Sequence, residues 1–284
     1  MPQTEKALVT WLVRRRHLGM SYCFDFGPVR TIAQNTPWWT CPRRAPAAPL
    51  RLWCLPFVGA GAAIWYPWAA PIARTAEIMA ARLPARETRF GEKPLTRVTQ
   101  VVDALVGHIA QFADEDYALC GHSLGGLVAF ELARRLRSMG VPNPRAVIVC
   151  ATRAPDRPRP EPPVHHLNAR EFIAQIEQRY GAIPAEIRDH PDVLELLLPA
   201  LRADMEIYET YRHVPAAPLD VPILALGGTG DRIVSQADVL GWRMHTSVQC
   251  ETAFFAAGHF FPQTHQGEVV PVVRRFLEAV VAVR

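Results

Sequence analysis

The pentapeptide Gly121-His122-Ser123-Leu124-Gly125 constrains this chain more than any other stretch, because it sits between the apolar run Tyr117-Ala118-Leu119-Cys120 and a helix-like run from Gly126 to Met139. A serine on so tight a strand-to-helix turn is forced into a strained backbone conformation, and only small neighbours such as Gly121 and Gly125 leave room for it. The strain holds the hydroxyl of Ser123 out where a base can reach it. The helix that starts just after Ser123 aims its free N–H groups, that of Leu124 first, and the positive end of its dipole at the place where an oxyanion would form. A glycine-rich surface turn would match the same five residues. The strand before, the helix after and two partners downstream favour the nucleophile.

A serine hydroxyl is a poor nucleophile at neutral pH and needs a base, which in turn needs a carboxylate to fix its tautomer. In sheets that carry such an elbow the chain order is Ser, then Asp or Glu, then His. The run from Val221 to Leu226 reads as a buried parallel strand breaking into a loop at Gly227-Gly228, and Asp231 lies in that loop. The next strand, Val248 to Phe255, ends in Ala256-Ala257-Gly258-His259, so His259 falls on a loop at the same sheet edge. The rivals are placed less well. His122 lies inside the elbow and turns away from the hydroxyl, His245 lies in a polar stretch before a strand, and His265 opens the final helix. Asp238 reads as a helix-face residue and Asp220 as a turn residue. Asp156, just past the strand from Ala146 to Cys150, is the serious competitor for the acid; loop position ranks Asp231 ahead of it.

The 284 residues, 49% hydrophobic and 20% charged, suffice for one globular α/β enzyme with a large core. A net charge of +4 permits an acidic partner, but no lysine-arginine stripe interleaved with aromatics argues for nucleic acid. The six cysteines show no metal spacing, and Cys54, Cys120 and Cys150 fall in strand runs as expected of buried thiols in a reducing cytosol. No stretch approaches the length of a membrane span. At the amino terminus the charged Arg14-Arg15-Arg16-His17 follows the short apolar run Ala7 to Val13 instead of preceding it, unlike a secretory signal. These features predict a cytoplasmic protein with no membrane partner.

Further elements alternate along the chain. Strands are expected at Leu50 to Leu55 and Ala76 to Arg82, helices at Tyr66 to Ala73 and near Gln236 to Trp242, and a final helix from Gln263. Val98, Val101, Val102, Leu105, Ile109 and Phe112 recur at helical spacing. Alternation of this kind implies a mostly parallel sheet with helices on both faces. The stretch from Pro155 to Leu219 is too long for a connecting loop. It opens proline-rich, carries helical patterns at Ala169 to Tyr180 and Val193 to Arg212, and leaves from the edge that bears the triad, which suits a lid. Leu197, Leu201, Met205, Tyr208 and Tyr211 form a stripe that either lines an acyl pocket or packs as plain core; Met205 and Tyr208 are the substrate-binding candidates.

Several segments together resemble the type II thioesterases, free-standing editing enzymes of modular polyketide and nonribosomal peptide synthases. They are Pro37-Trp38-Trp39, Cys54-Leu55-Pro56-Phe57-Val58-Gly59-Ala60-Gly61 with Tyr66 and Trp68, Leu83-Pro84-Ala85-Arg86-Glu87-Thr88-Arg89, the elbow, Leu201-Arg202-Ala203-Asp204 with Glu209-Thr210-Tyr211, and Gly258-His259-Phe260-Phe261. The resemblance runs from about Pro37 to the carboxyl terminus and implies an α/β-hydrolase fold with a helical lid insertion over about 155–219. It also implies hydrolysis of acyl thioesters on the phosphopantetheine arm of acyl or peptidyl carrier proteins, with no metal or organic cofactor, by a protein expected to act as a monomer. The backbone N–H of Val58 would complete the oxyanion hole with that of Leu124. Here Val58 and Ala60 replace the family's usual alanine and second glycine, and Ala85 replaces the glycine of a Leu-Pro-Gly-Arg turn; a backbone donor survives a side-chain change. Residues 1–36 have no counterpart in the resemblance, show no sustained periodicity and are expected to be disordered; they read either as a partner-binding arm or as sequence upstream of an ordinary start at Met20 or later. A general serine esterase or acyl-CoA thioesterase would use the same triad. A catalytically dead carrier-protein binder fits less well, since each triad position is filled.

Overall fold

The computed structural model describes residues 36–181 and 191–282, so the expectations for the amino-terminal extension and for Met20 lie outside the described residues. Strands β1 (Trp39–Thr40), β2 (Leu50–Leu55), β3 (Ala76–Ala81), β4 (Tyr117–His122), β5 (Val147–Cys150), β6 (Ile223–Gly228) and β7 (Cys250–Phe255) form one seven-stranded sheet in the order β1-β3-β2-β4-β5-β6-β7. All pairs are parallel except β1 with β3. Every residue of β2, β3, β4, β5 and β6 is buried, as expected for parallel strands covered on both faces.

Alternation of side chains splits the core in two. Leu52, Ile78, Ala118, Ile148 and Leu224 share one cluster with Trp65, Trp68, Val273 and Phe276 from helices α1 (Tyr66–Ile72) and α8 (Gln266–Ala282) and the turn before α1. Trp53, Met79, Leu119 and Val147 stand in one row of the register with the opposite orientation, on the side covered by α2 (Val98–Ala110) and α3 (Leu124–Ser138). Between β5 and β6 the chain forms α4 (Ala169–Tyr180), capped by the Asn168 side chain on the Glu171 N–H, and α5 (Pro191–Thr210). Phe172 and Ile176 of α4 pack with Met205 of α5 and with Val164 into a small core of their own. Between β6 and β7 lies α6 (Gln236–Leu240), and after β7 comes the short α7 (Phe261–Thr264).

Four expectations shift. β6 starts at Ile223, after Pro222, and runs on through Gly227-Gly228 because these glycines pair with Phe254 and Phe255 of β7. A Cβ on Gly228 would lie 2.4 Å from the Ala257 carbonyl oxygen, so the close approach needs glycine. α6 stops at Leu240 and continues as a tighter 3-10 turn to His245. The final helix is two, α7 and α8, broken at His265. No helix among the described residues is long and apolar enough to cross a membrane.

Candidate active site

Ser123 sits between β4 and α3 with φ 54° and ψ −115°, the strained turn expected of the elbow. Its N–H donates to the Cys150 carbonyl at 2.8 Å, and its own carbonyl accepts from the Thr152 hydroxyl at 3.0 Å. A Cβ on Gly121 would lie 2.1 Å from the Gly125 carbonyl carbon, and one on Gly125 would lie 2.2 Å from the Leu55 carbonyl oxygen. Both positions therefore exclude any side chain.

The two downstream partners meet. The Nδ1–H of His259 donates to Oδ2 of Asp231 at 2.8 Å, which leaves Nε2 as the free base. The other carboxylate oxygen of Asp231 accepts from the N–H groups of Ile233 at 2.8 Å and Val234 at 3.1 Å. Burial pushes this carboxyl up, but the bond from His259 and the two backbone amides outweigh it and hold Asp231 below the usual carboxylate range. Asp156 is engaged elsewhere. It accepts from Nε2 of His245 at 2.9 Å, and His245 is buried in its 3-10 turn.

His122 turns away from the serine, as expected, and has a use that the sequence did not reveal. Its Nε2–H donates to the backbone carbonyl of His259 at 2.9 Å, while its ring lies 4.9 Å from that of Phe57 and 5.3 Å from that of His259. Complete burial, together with the nearby His259, drives its pKa well below the ordinary histidine value, so this imidazole is neutral.

A cavity of about 300 Å3 opens onto both Ser123 and His259. Phe57, Val58, Gly59 and Phe260 line one side; Ile176 and Tyr180 of α4 and Leu194, Leu197, Leu201 and Met205 of α5 line the other. Met205 lies in this lining and belongs at the same time to the α4–α5 core, so both placements left open for the stripe meet at this residue. Tyr208 is not in the lining: its ring packs behind with the α4–α5 core, under the Arg159 guanidinium at 4.6 Å. Among the described residues the N–H groups of Val58 and Leu124 donate to no protein acceptor. Ala60 has no positive φ, so its replacement of glycine leaves the loop unstrained, whereas Ala85 does sit at φ 64°.

A family model for the thioesterase domain matches residues 50–277. The chain is similar to the gramicidin S biosynthesis protein GrsT of Aneurinibacillus migulanus, 31% identical over 251 residues that cover 88% of this chain and 98% of that one. Among solved structures it is similar to the type II thioesterase BorB from the borrelidin biosynthetic cluster, with 33% identity, a TM-score of 0.77 and coverage of 85% and 98%. It is likewise similar to ClbQ from the colibactin NRPS/PKS pathway, with 29% identity, a TM-score of 0.78 and coverage of 84% and 100%. The chain thus belongs to the thioesterase family of hydrolases, with the α/β-hydrolase fold, and within that family to the type II thioesterases.

Proposed function

We propose that the protein hydrolyses acyl thioesters held on the phosphopantetheine arms of acyl and peptidyl carrier proteins, clearing aberrant acyl groups during polyketide or nonribosomal peptide assembly. The observation that carries the chemistry is the Asp231–His259 bond beside a cavity lined by Ser123, His259 and Val58, with the Leu124 N–H next to Ser123 in sequence and, like that of Val58, donating to no acceptor among the described residues. Nε2 of His259 takes the Ser123 proton as Oγ attacks the thioester carbonyl, and the N–H groups of Val58 and Leu124 hold the resulting oxyanion. The C–S bond breaks and the carrier thiolate takes its proton from His259. Water, deprotonated by the same imidazole, then attacks the acyl-serine, and the carboxylic acid leaves as Ser123 recovers its proton. Asp231 keeps His259 in the productive tautomer throughout. Residues from Pro37 onward form the catalytic domain in this reading, with the stretch 155–219 as its lid and a monomer as the working unit.

Ser123→Ala should keep the fold and lower hydrolysis of a short acyl thioester by about 10³- to 10⁶-fold, because the covalent route is gone. Retention of wild-type turnover by a folded Ser123→Ala protein contradicts the nucleophile. A second reading, a general esterase or acyl-CoA thioesterase, draws on the cavity lining, which among the described residues carries no polar side chains besides Ser123, Tyr180 and His259 that would tell one thiol carrier from another.

A further inference from the structure

Two of the segments that carry the resemblance meet beside the loop after β2. Arg86 is 5% exposed and Asp204, on α5, 2%. Nη1 and Nη2 of Arg86 donate to the two carboxylate oxygens of Asp204 at 2.7 and 2.8 Å. The same guanidinium donates to the carbonyls of Ala60 at 3.0 Å and Pro84 at 3.2 Å. Asp204 in turn accepts the N–H of Gly59 at 2.7 Å. Arg86 is flanked by two non-glycine residues in the left-handed region, Ala85 at φ 64° and Glu87 at φ 49°. The Glu87 carboxylate accepts the Ala63 N–H at 3.2 Å.

These bonds fix the peptide planes around Val58 one by one. The plane that bears the Val58 N–H also bears the Phe57 carbonyl, which accepts from the Ala60 N–H at 3.0 Å. The next plane is held through the Gly59 N–H by Asp204, and the Ala60 carbonyl is held by Arg86. Gly59 itself, at φ 78°, touches α5: a Cβ there would lie 2.8 Å from Cδ1 of Leu201. Asp204 is adjacent to Met205 and one turn from Leu201, both of which line the acyl cavity.

We propose that Arg86 and Asp204 are positioning residues that aim the Val58 N–H at the developing oxyanion and couple it to the seating of the acyl chain against α5. The proposal rests on the reading of Val58 as an oxyanion donor. A buried, bidentate, charge-assisted pair is suited to this, because it tolerates little displacement before its bonds fail. It also means that the second half of α5 is fixed to the catalytic loop and does not swing away from it.

The test compares wild type with Asp204→Asn and Arg86→Lys, using one acyl chain in three forms: a carrier-bound thioester, a trifluoromethyl ketone that Ser123 can attack, and a thioether with no carbonyl. Both variants should lose about 10- to 100-fold in kcat with KM within about twofold, since the lost interaction belongs to the transition state. Ketone affinity should fall by the same factor and thioether affinity should stay, and Arg86→Lys should retain more activity than Arg86→Gln. Variants that keep the wild-type ratio of ketone to thioether affinity, or lose both ligands alike, overturn the pair's role. A wild type with no preference for the ketone overturns the oxyanion reading itself, which distinguishes the two failures. Should neither variant fold, hydrogen exchange of the Gly59 amide in the wild type decides: protection that rises when the ketone binds supports the clamp, and open-loop exchange unaffected by the ketone overturns it.

Discussion

Ser123 holds a backbone conformation that costs on the order of 1–3 kcal/mol for a non-glycine residue. It persists because its N–H and carbonyl are tied to Cys150 and Thr152. Asp231→Asn should lower turnover by about 10⁴-fold through the wrong imidazole tautomer, and Asp156→Asn should leave it nearly unchanged, since its partner is His245. Steady-state rates of the two variants check this, and the reverse ranking moves the acid to the loop after β5. The strained turn at Ser123 and the meeting of Asp231 with His259 were legible because motif, chain order and loop position act together. Arg86 and Asp204 were not: 118 positions separate them, and no periodicity joins them. His122 adds a pH dependence. Its folded pKa lies well below the ordinary 6.5, so below that pH the unfolded chain binds a proton that the native state refuses. Its contribution is therefore complete above about pH 6.5 and falls away as the pH drops below it. Denaturant titrations should show the wild type losing more stability than His122→Gln between about pH 7.5 and 5.5; equal losses contradict a buried neutral imidazole.

At the scale of elements, the apolar runs that become β2, β4 and β5 and the stripes that become α2 and α4 could be read to within a residue or two, since each is buried along its whole length or along one face. What escaped has physical causes. β1 is two residues long and presents no alternation, and it exists because Trp39 and Thr40 pair with Ala81 and Ala80 while the Trp39 ring meets that of Trp53 at 4.6 Å. The glycines of β6 look like a loop until a partner strand requires their bareness. α4 and α5 have a core apart from the main one, with the fully buried Phe172 at its centre and the Arg202 guanidinium 4.5 Å from the ring centroid. Phe172→Ala should remove about 3–5 kcal/mol from this unit. Limited proteolysis should find new cleavage between Pro155 and Leu219 with the elbow region still protected, and loss of turnover should accompany it. An unchanged digestion pattern argues that the segment between β5 and β6 does not depend on this core.

Across the whole molecule, one sheet edge gathers what the chemistry needs. The loops after β2, β4, β6 and β7 bring Val58, Ser123, Asp231 and His259 to the carboxyl ends of parallel strands, where such sheets build their sites. The segment between β5 and β6 walls the cavity from above and contributes Met205 and Leu201 to it. A net charge of +4 suits an acidic carrier protein, and contacts far from the carbonyl lower the barrier when they place the thioester correctly. The most direct measurement compares kcat/KM for one acyl group presented on a carrier protein, on coenzyme A and on a small thiol. The highest value is expected on the carrier protein, whereas equal efficiency on all three thiols would contradict carrier-protein editing and leave a general thioesterase.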